Sequence, residues 1–309
     1  MTSTKPACTK GIILAGGSGT RMAPMTLGCN KQLLPIYDKP LVYYPLSTLM
    51  LAGVNDVLLI SSPGEINKFE QLFGDGSQFG ISIQYKVQQE PNGLAQAFVL
   101  GKEFIGKDSV ALILGDNVFY GHGLSKTLQA VAQSDSGGTV FAYEVSDPER
   151  YGVIEMDADG RPTAIVEKPK QPKSKYAVPG IYFFDNRVVA FAEAVKPSPR
   201  GEYEITDVIQ QYMDDGSLSV QKFGRGIAWL DTGTPMALLQ ASNFIAAIEQ
   251  RQGLRICCPE EIAARMGFIT PEQLAELADP MKSDYGKYLQ GVAKQLIEDP
   301  ARVDAVEVA

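Results

Sequence analysis

Arg21, Lys31, Asp116, Lys168 and Asp231 each lie within a few residues of a glycine or a proline, and they have the most chemistry to offer in this chain. Arg21 closes the glycine-rich stretch GIILAGGSGTRM (residues 11–22), and Lys31 follows in NKQLLP. Glycines admit positive φ and let backbone N–H groups approach a ligand closely, so such a loop suits phosphates, although it also makes ordinary strand-to-helix turns. Two cations beside a backbone-amide cradle suit a triphosphate. Arginine holds two phosphate oxygens through its planar fork, and lysine supplies a mobile point charge that helps neutralise a breaking P–O bond. Two familiar phosphate loops are excluded: Thr20 and Arg21 after Gly19 break GxxxxGK[ST], and Met22 stands where GxGxxG needs its third glycine.

ALILGDNVFYGHG sets Asp116 at the exit of an apolar strand, and GIAWLDTGTP sets Asp231 at the end of another. Ligands of open α/β sheets bind outside the carboxyl ends of strands. Taken singly, each aspartate reads as a turn residue or helix cap; as a pair beside a cationic loop they form the hard-oxygen environment that Mg²⁺ accepts. KVQQEPNGLAQA places Gln88 and Gly93 between a strand and a helix. A glutamine amide donates and accepts at once, which suits a nucleobase edge, and without that context the segment is a polar turn. Glu167 and Lys168, in IVEKPKQPKSKYAVPGIYFF, pair a carboxylate for sugar hydroxyls with an ammonium for a sugar phosphate; an isolated Glu-Lys pair is otherwise an exposed ion pair.

These residues must be held by a sizeable core, and 309 residues allow one, either in a single large domain or in a domain with an appendix. Short β-branched runs at 11–15, 56–61, 82–87, 109–114 and 139–145 alternate with helical periodicity at 41–52, 66–73, 94–104 and 124–132, which predicts an α/β fold around a mostly parallel sheet. Pro45 argues for a kink or late start in the first helix. From 152 the pattern turns hairpin-like, with strands at 152–156, 163–166, 177–184 and 219–223 and helices at 186–195 and 205–214, read as a second lobe over about 151–229. Thr234 and Pro235 suit cap and first-turn positions, and a helical region over 235–309 follows the core of 1–234, with helices at 236–250, 260–266, 271–278 and 285–297.

A net charge of −8 offers no nucleic-acid footprint, so a polyanionic ligand must be met by a few local cations. Cys8, Cys29, Cys257 and Cys258 form neither a CxxC pair nor a disulfide ladder, which fits a reduced, cytoplasmic setting. The N-terminus lacks a signal-peptide core, no run reaches the roughly 18 apolar residues of a membrane span, and a soluble protein without membrane partners is expected. His122 is the single histidine, which excludes HExxH metal chemistry and leaves carboxylates, lysines and arginines to do the work.

In combination, LAGGSGTR, NKQLLP, EPNGLAQA, LGDN, ERYGV, EKP and WLDTGT, spread from about Lys10 to about Pro280, resemble the sugar nucleotidyltransferases, and GEYEITDV with CPEEIA resembles their short bacterial thymidylyltransferase branch. The resemblance implies a Rossmann-like core with a sugar-binding lobe, and Mg²⁺-dependent thymidylyl transfer from dTTP to α-D-glucose 1-phosphate, giving dTDP-glucose and pyrophosphate. It implies that Arg21 and Lys31 act on the triphosphate above Gly16, Gly17, Gly19 and Thr20. Asp116 and Asp231 would hold Mg²⁺, with Leu14 and Gly16 against the nucleoside and Gln88 and Gly93 on thymine. Lys168 would grip the sugar phosphate, and Tyr151, Gly152, Glu167 and Val178 would line the glucose pocket. It further implies a homotetramer inhibited by a dTDP-sugar at a second site, with Tyr120, Gly121, Arg255, Glu261 and Arg265 as candidates.

Departures from the family pattern are Pro179 where Thr is common, which unsettles sugar choice, Asn30 for Ser, expected to matter little, and Ser125 where some relatives have His. The same chemistry on UTP and a non-catalytic sugar-nucleotide sensor are the alternatives.

Overall fold

The structure, a computed structural model, describes residues 8–17, 19–134 and 137–299. In chain order its strands are β1 (Lys10–Leu14), β2 (Pro35–Ile36), β3 (Lys39–Pro40), β4 (Asp56–Ser61), β5 (Ser82–Val87), β6 (Val110–Leu114) and β7 (Asn117–Gly121). There follow β8 (Gly138–Glu144), β9 (Gly152–Met156), β10 (Pro162–Glu167), β11 (Tyr176–Ala177), β12 (Ile181–Phe184), β13 (Leu218–Lys222) and β14 (Ile227–Asp231). Helices α1 (Tyr43–Leu51), α2 (Ile66–Phe73), α3 (Gln96–Leu100), α4 (Lys102–Ile105), α5 (Leu124–Ala132), α6 (Val188–Ala194) and α7 (Ile205–Asp214) lie between them. The tail comprises α8 (Pro235–Gln252), α9 (Pro259–Arg265), α10 (Pro271–Ala278) and α11 (Asp284–Glu298).

The central sheet is mixed, running β10-β9-β11-β8-β12-β6-β1-β4-β5, with β13 also paired to β8. β6, β1, β4 and β5 are mutually parallel, as their helical crossovers require. β12 runs antiparallel to both β6 and β8 and joins this half to the hairpin-connected β8–β11. Parallel character is thus confined to one half of the sheet and to β13 on β8.

Both faces of β1 are covered. Ile12 packs with Leu58 and Phe98 on one side, and Ile13 with Leu59 and Phe119 on the other, which is why the run is apolar without alternation. Leu14 pairs with Ile60 and with Leu114, so the glycine loop after β1 and the Gly115–Asp116 turn after β6 leave the same sheet edge.

Three local expectations change, and a fourth, the late start of the first helix, holds. The helix at 94–104 divides into α3 and α4 at Gly101, where a β-carbon would press on Ile12 Cδ1 at 3.0 Å. The strand at 177–184 breaks into β11 and β12 around Pro179, which has no N–H to give a ladder. β14 leaves the central sheet and pairs with β7, setting Asp231 opposite Asn117. The first helix starts at Tyr43, late enough to leave Pro45 in the first turn, where a missing N–H costs no hydrogen bond.

Thr234 caps α8 as expected, accepting from the Ala237 N–H, with Pro235 at the first position. α9 docks on α1, and α10 and α11 pack on α9 and on each other. The four cysteines carry free thiols. Among the described residues no helix is long and apolar enough to cross a membrane.

Candidate active site

Two cavities open at the carboxyl edge of the parallel strands and share part of their walls. One, of about 350 Å³, lies over the glycine loop and is walled by Gly16, Gly17, Gly19, Thr20 and Lys31 among others. The second, of about 290 Å³, is walled by Tyr151, Gly152, Glu167, Lys168, Val178 and Asp231 among others. Arg21 and Asp116 belong to both walls.

The loop earns its glycines unevenly. Gly17 has φ 100° and Gly19 φ 57°, and Gly19 opens the short 3₁₀ turn Thr20–Met22 that carries Arg21. Met22 is buried, so the turn is anchored by its apolar end and Arg21 stays outside. Lys31 sits in a second 3₁₀ turn, Lys31–Leu33, with its ammonium 2.5 Å from Asp116 Oδ2. Asn30, expected to matter little, is buried, and its N–H and side chain make three hydrogen bonds around this turn.

Asp116 is held from two sides, by Lys31 and by Asn117 Nδ2, which donates to Oδ1 at 2.8 Å. Asn117 Oδ1 in turn accepts from Trp229 Nε1 at 2.6 Å and from the Gly180 N–H at 3.2 Å. A β-carbon on Gly233 would lie 3.2 Å from Asp231 Oδ1 and 3.6 Å from Arg21 Nη2, so both side chains face one point. Burial, and then the Asp116 charge, push the Asp231 carboxyl above its ordinary pKa, against the opposing pull of Lys31, Arg150 and Arg21. Two carboxylates close enough for the Asp116 charge to act on Asp231 fit a divalent cation. Among the described residues no group of three or more His, Cys, Asp or Glu is placed to hold a metal, so the remaining positions of a Mg²⁺ octahedron would fall to phosphate oxygens and water.

Lys168 has φ 41°, a region that lysine rarely adopts, and its N–H donates to the Tyr151 carbonyl at 3.0 Å. That turn sets its ammonium 3.4 Å from Glu167 Oε1. Tyr151 packs on Trp229 with ring centroids 4.9 Å apart, and burial pushes its hydroxyl up to about 12. Val178 and Gly180 line the second cavity, and Pro179 between them is not part of that wall.

Leu14, Gln88 and Gly93 fall outside the walls of these two cavities. Gln88 is buried, donates to Gln96 Oε1 at 2.7 Å, and turns its own Oε1 toward Gly16, 3.1 Å from where a β-carbon would stand. Gly93, at φ 117°, is required by packing: a β-carbon would strike the Tyr203 backbone at 2.4 Å.

Two wall residues, Arg150 and Gln32, and one partner of a wall residue, Arg200, leave little trace in the sequence. Arg150, within ERYGV, reaches to 3.5 Å from Asp231 Oδ2. Gln32 is buried with its Oε1 unpartnered beside the loop cavity. Arg200 comes from a loop far along the chain to meet Glu167 Oε1 at 3.1 Å, which leaves Glu167 between two cations. Only Arg150 had a signal, its adjacency to Tyr151; the others depend on contacts that spacing does not reveal.

Arg255, Glu261 and Arg265 gather at the joint between tail and core. Arg255 meets Glu249 at 2.7 Å and Asp38 at 3.0 Å, and Arg265 Nε donates to Glu261 at 2.8 Å. The Tyr288 hydroxyl donates to Glu261 Oε2, and its ring lies under Arg255. Tyr120 and Gly121 lie on β7, Tyr120 against Phe244 and Gly121 against Gly226.

The nucleotidyl transferase family model matches residues 10–248. A glucose-1-phosphate thymidylyltransferase of Mycolicibacterium smegmatis is 58% identical over 281 residues, covering 91% of this chain and 97% of that protein. One from Xanthomonas campestris pv. campestris is 56% identical over 287 residues, covering 93% and 97%. The crystal structure of a Bacillus anthracis protein provisionally named glucose-1-phosphate thymidylyltransferase, in complex with sucrose, superposes with a TM-score of 0.69 at 38% identity, covering 76% of this chain and 94% of that one.

Proposed function

The chain belongs to the nucleotidyl transferase family, in its glucose-1-phosphate thymidylyltransferase branch, and from that premise we propose that it transfers a thymidylyl group from dTTP to α-D-glucose 1-phosphate, releasing pyrophosphate and dTDP-glucose. The observation that carries the reading is the meeting of two cavities at Arg21 and Asp116, one over a glycine loop and one lined by Glu167 and Lys168. A triphosphate in the first and a sugar phosphate in the second bring attacking oxygen and α-phosphorus to that junction.

Glucose 1-phosphate is largely dianionic near neutral pH, given a second phosphate pKa of about 6, so its oxygen needs no general base. The difficulty is to bring one anion onto another. Lys168 holds the sugar phosphate, and Glu167, itself held by Arg200, accepts from sugar hydroxyls. Arg21 and Lys31 hold the triphosphate and take up charge as a new O–P bond forms at the α-phosphorus and the bond to the bridging oxygen breaks. Pyrophosphate leaves with the electron pair. Asp116 and Asp231 are the residues to hold Mg²⁺, which when bound supplies charge neutralisation and a template for phosphate oxygens. Leu14, Gly16, Gln88 and Gly93 face the nucleoside in this reading.

Rates of pyrophosphate release across nucleotides test the assignment. dTTP is expected to lead and UTP to follow, because one methyl is worth about 1–3 kcal/mol in a pocket. Rates with ATP equal to or above those with dTTP would sink it.

The reading extends to a cytoplasmic homotetramer that a dTDP-sugar inhibits at the tail joint. Arg265 and Glu261 are both buried and paired, so removing one alone leaves an uncompensated charge. The paired change Arg265→Met with Glu261→Gln is expected to abolish inhibition by dTDP-rhamnose while turnover is retained. Undiminished inhibition removes the joint from the regulatory reading.

A further inference from the structure

Lys31 rides on a 3₁₀ turn of only three residues, too short to orient itself, so its direction depends on what its ends are tied to. Asn30 supplies most of those ties. Its Oδ1 accepts from the Gln32 N–H at 2.8 Å, which caps the turn. Its Nδ2 donates to the Ala15 carbonyl at 3.2 Å, inside the protein, where β1 gives way to the glycine loop. Its own N–H donates to Glu65 Oε2 at 3.0 Å.

Ala15 is itself fixed. Its N–H donates to the Ile60 carbonyl, and its carbonyl also accepts from Ser61 Oγ at 2.9 Å. On the far side of Lys31, Gln32 Nε2 donates to the Gly16 carbonyl at 3.4 Å. The lysine is therefore bracketed by two amide side chains that both grip the start of the phosphate loop. An asparagine amide has separate donor and acceptor atoms, so it closes the cap and spans to the strand in one step.

We infer that Asn30 is a positioning residue for Lys31, locking the turn that carries the ammonium to the strand that launches the glycine loop. The inference rests on the reading of Lys31 as a residue that acts on the triphosphate.

The test is a double-mutant cycle of Asn30→Ala and Lys31→Met in the full-length chain, read by steady-state kinetics and by thermal unfolding. Asn30→Ala alone is expected to lower kcat about 10- to 100-fold with KM for glucose 1-phosphate unchanged, as for misplacement of a reacting group. Asn30→Ser, which keeps the cap acceptor but loses the reach to the Ala15 carbonyl, is expected to fall between wild type and Asn30→Ala. On the Lys31→Met background Asn30→Ala is expected to have no further effect, because nothing is left to position. Asn30→Gly carries the same comparison if the alanine variant does not fold, since glycine is tolerated at caps. An equal loss on both backgrounds, or less than about a twofold loss in the wild type, overturns the positioning role. Full turnover in Lys31→Met alone overturns the reading of Lys31 as well, and so distinguishes the two failures.

Discussion

Asp116→Asn is expected to lower turnover by on the order of 10³-fold, equivalent to several kcal/mol of transition-state stabilisation, while the protein stays folded. Asp116 is the carboxylate that both cavities share, and its two oxygens engage Lys31 and Asn117. An amide in its place keeps an oxygen for Asn117 Nδ2 but presents either an uncharged oxygen or an N–H to Lys31. The ammonium then loses its counter-charge, and a metal position loses half of its protein carboxylates. Stability is expected to hold, because the side chain is 23% exposed and the change removes a negative charge that opposes ionisation of Asp231. Turnover by rapid-quench assay, a melting curve, and wild-type rates after chelation of divalent ions make the comparison. Retained turnover in the variant would take Asp116 out of the chemistry, and retained wild-type turnover after chelation would take the metal out.

The parts of this site that were legible in the sequence are those fixed by short-range rules. Arg21 and Asp116 each follow an apolar strand by a few residues, so strand polarity alone puts them on one sheet edge. The near-continuous apolar runs of β1, β4 and β6, covered on both faces, mark the parallel half of the sheet. What escaped depends on distance in the chain. Arg200 reaches Glu167 across 33 residues, and Trp229 reaches Asn117 across 112, and neither separation leaves a periodic trace. Gly93 carries a constraint of the same hidden kind: besides any ligand, the approach of the Tyr203 backbone leaves no room there for a β-carbon. Asn30 is a similar case, since exchange with serine conserves polarity and cap but not the reach to the Ala15 carbonyl, and only the fold shows that reach.

Glu249→Ala is expected to destabilise the chain by about 3–5 kcal/mol, the cost of breaking a buried ion pair from one side. Glu249 lies at the end of α8 with its side chain 1% exposed, and joins Lys39 of the β2–β3 hairpin at 3.2 Å to Arg255 at 2.7 Å. Its Oε1 also accepts from the Ile256 N–H at 2.8 Å. Without it, Lys39, only 2% exposed, and Arg255 share Asp38 alone, and a backbone donor is left unpaired. Lys39→Met combined with Glu249→Gln removes the opposed charges together, keeps an acceptor for Ile256 and leaves Asp38 with Arg255, so it is expected to recover most of the loss. Burial pulls the Lys39 ammonium down, but Asp38 and Glu249 outweigh it and hold its pKa above the ordinary 10.5. A raised lysine stabilises the fold fully below its unfolded pKa and ceases to do so as pH rises through the folded value, so the stabilisation from Lys39 is expected to be constant near neutrality and to fade only above about pH 10.5. Chemical denaturation of wild type, Glu249→Ala and the double variant, near neutral pH and in alkali, measures each difference. A cost below about 1 kcal/mol for Glu249→Ala would mean that water or a shifted side chain compensates the two cations, and that the tail is not pinned to the core by this cluster.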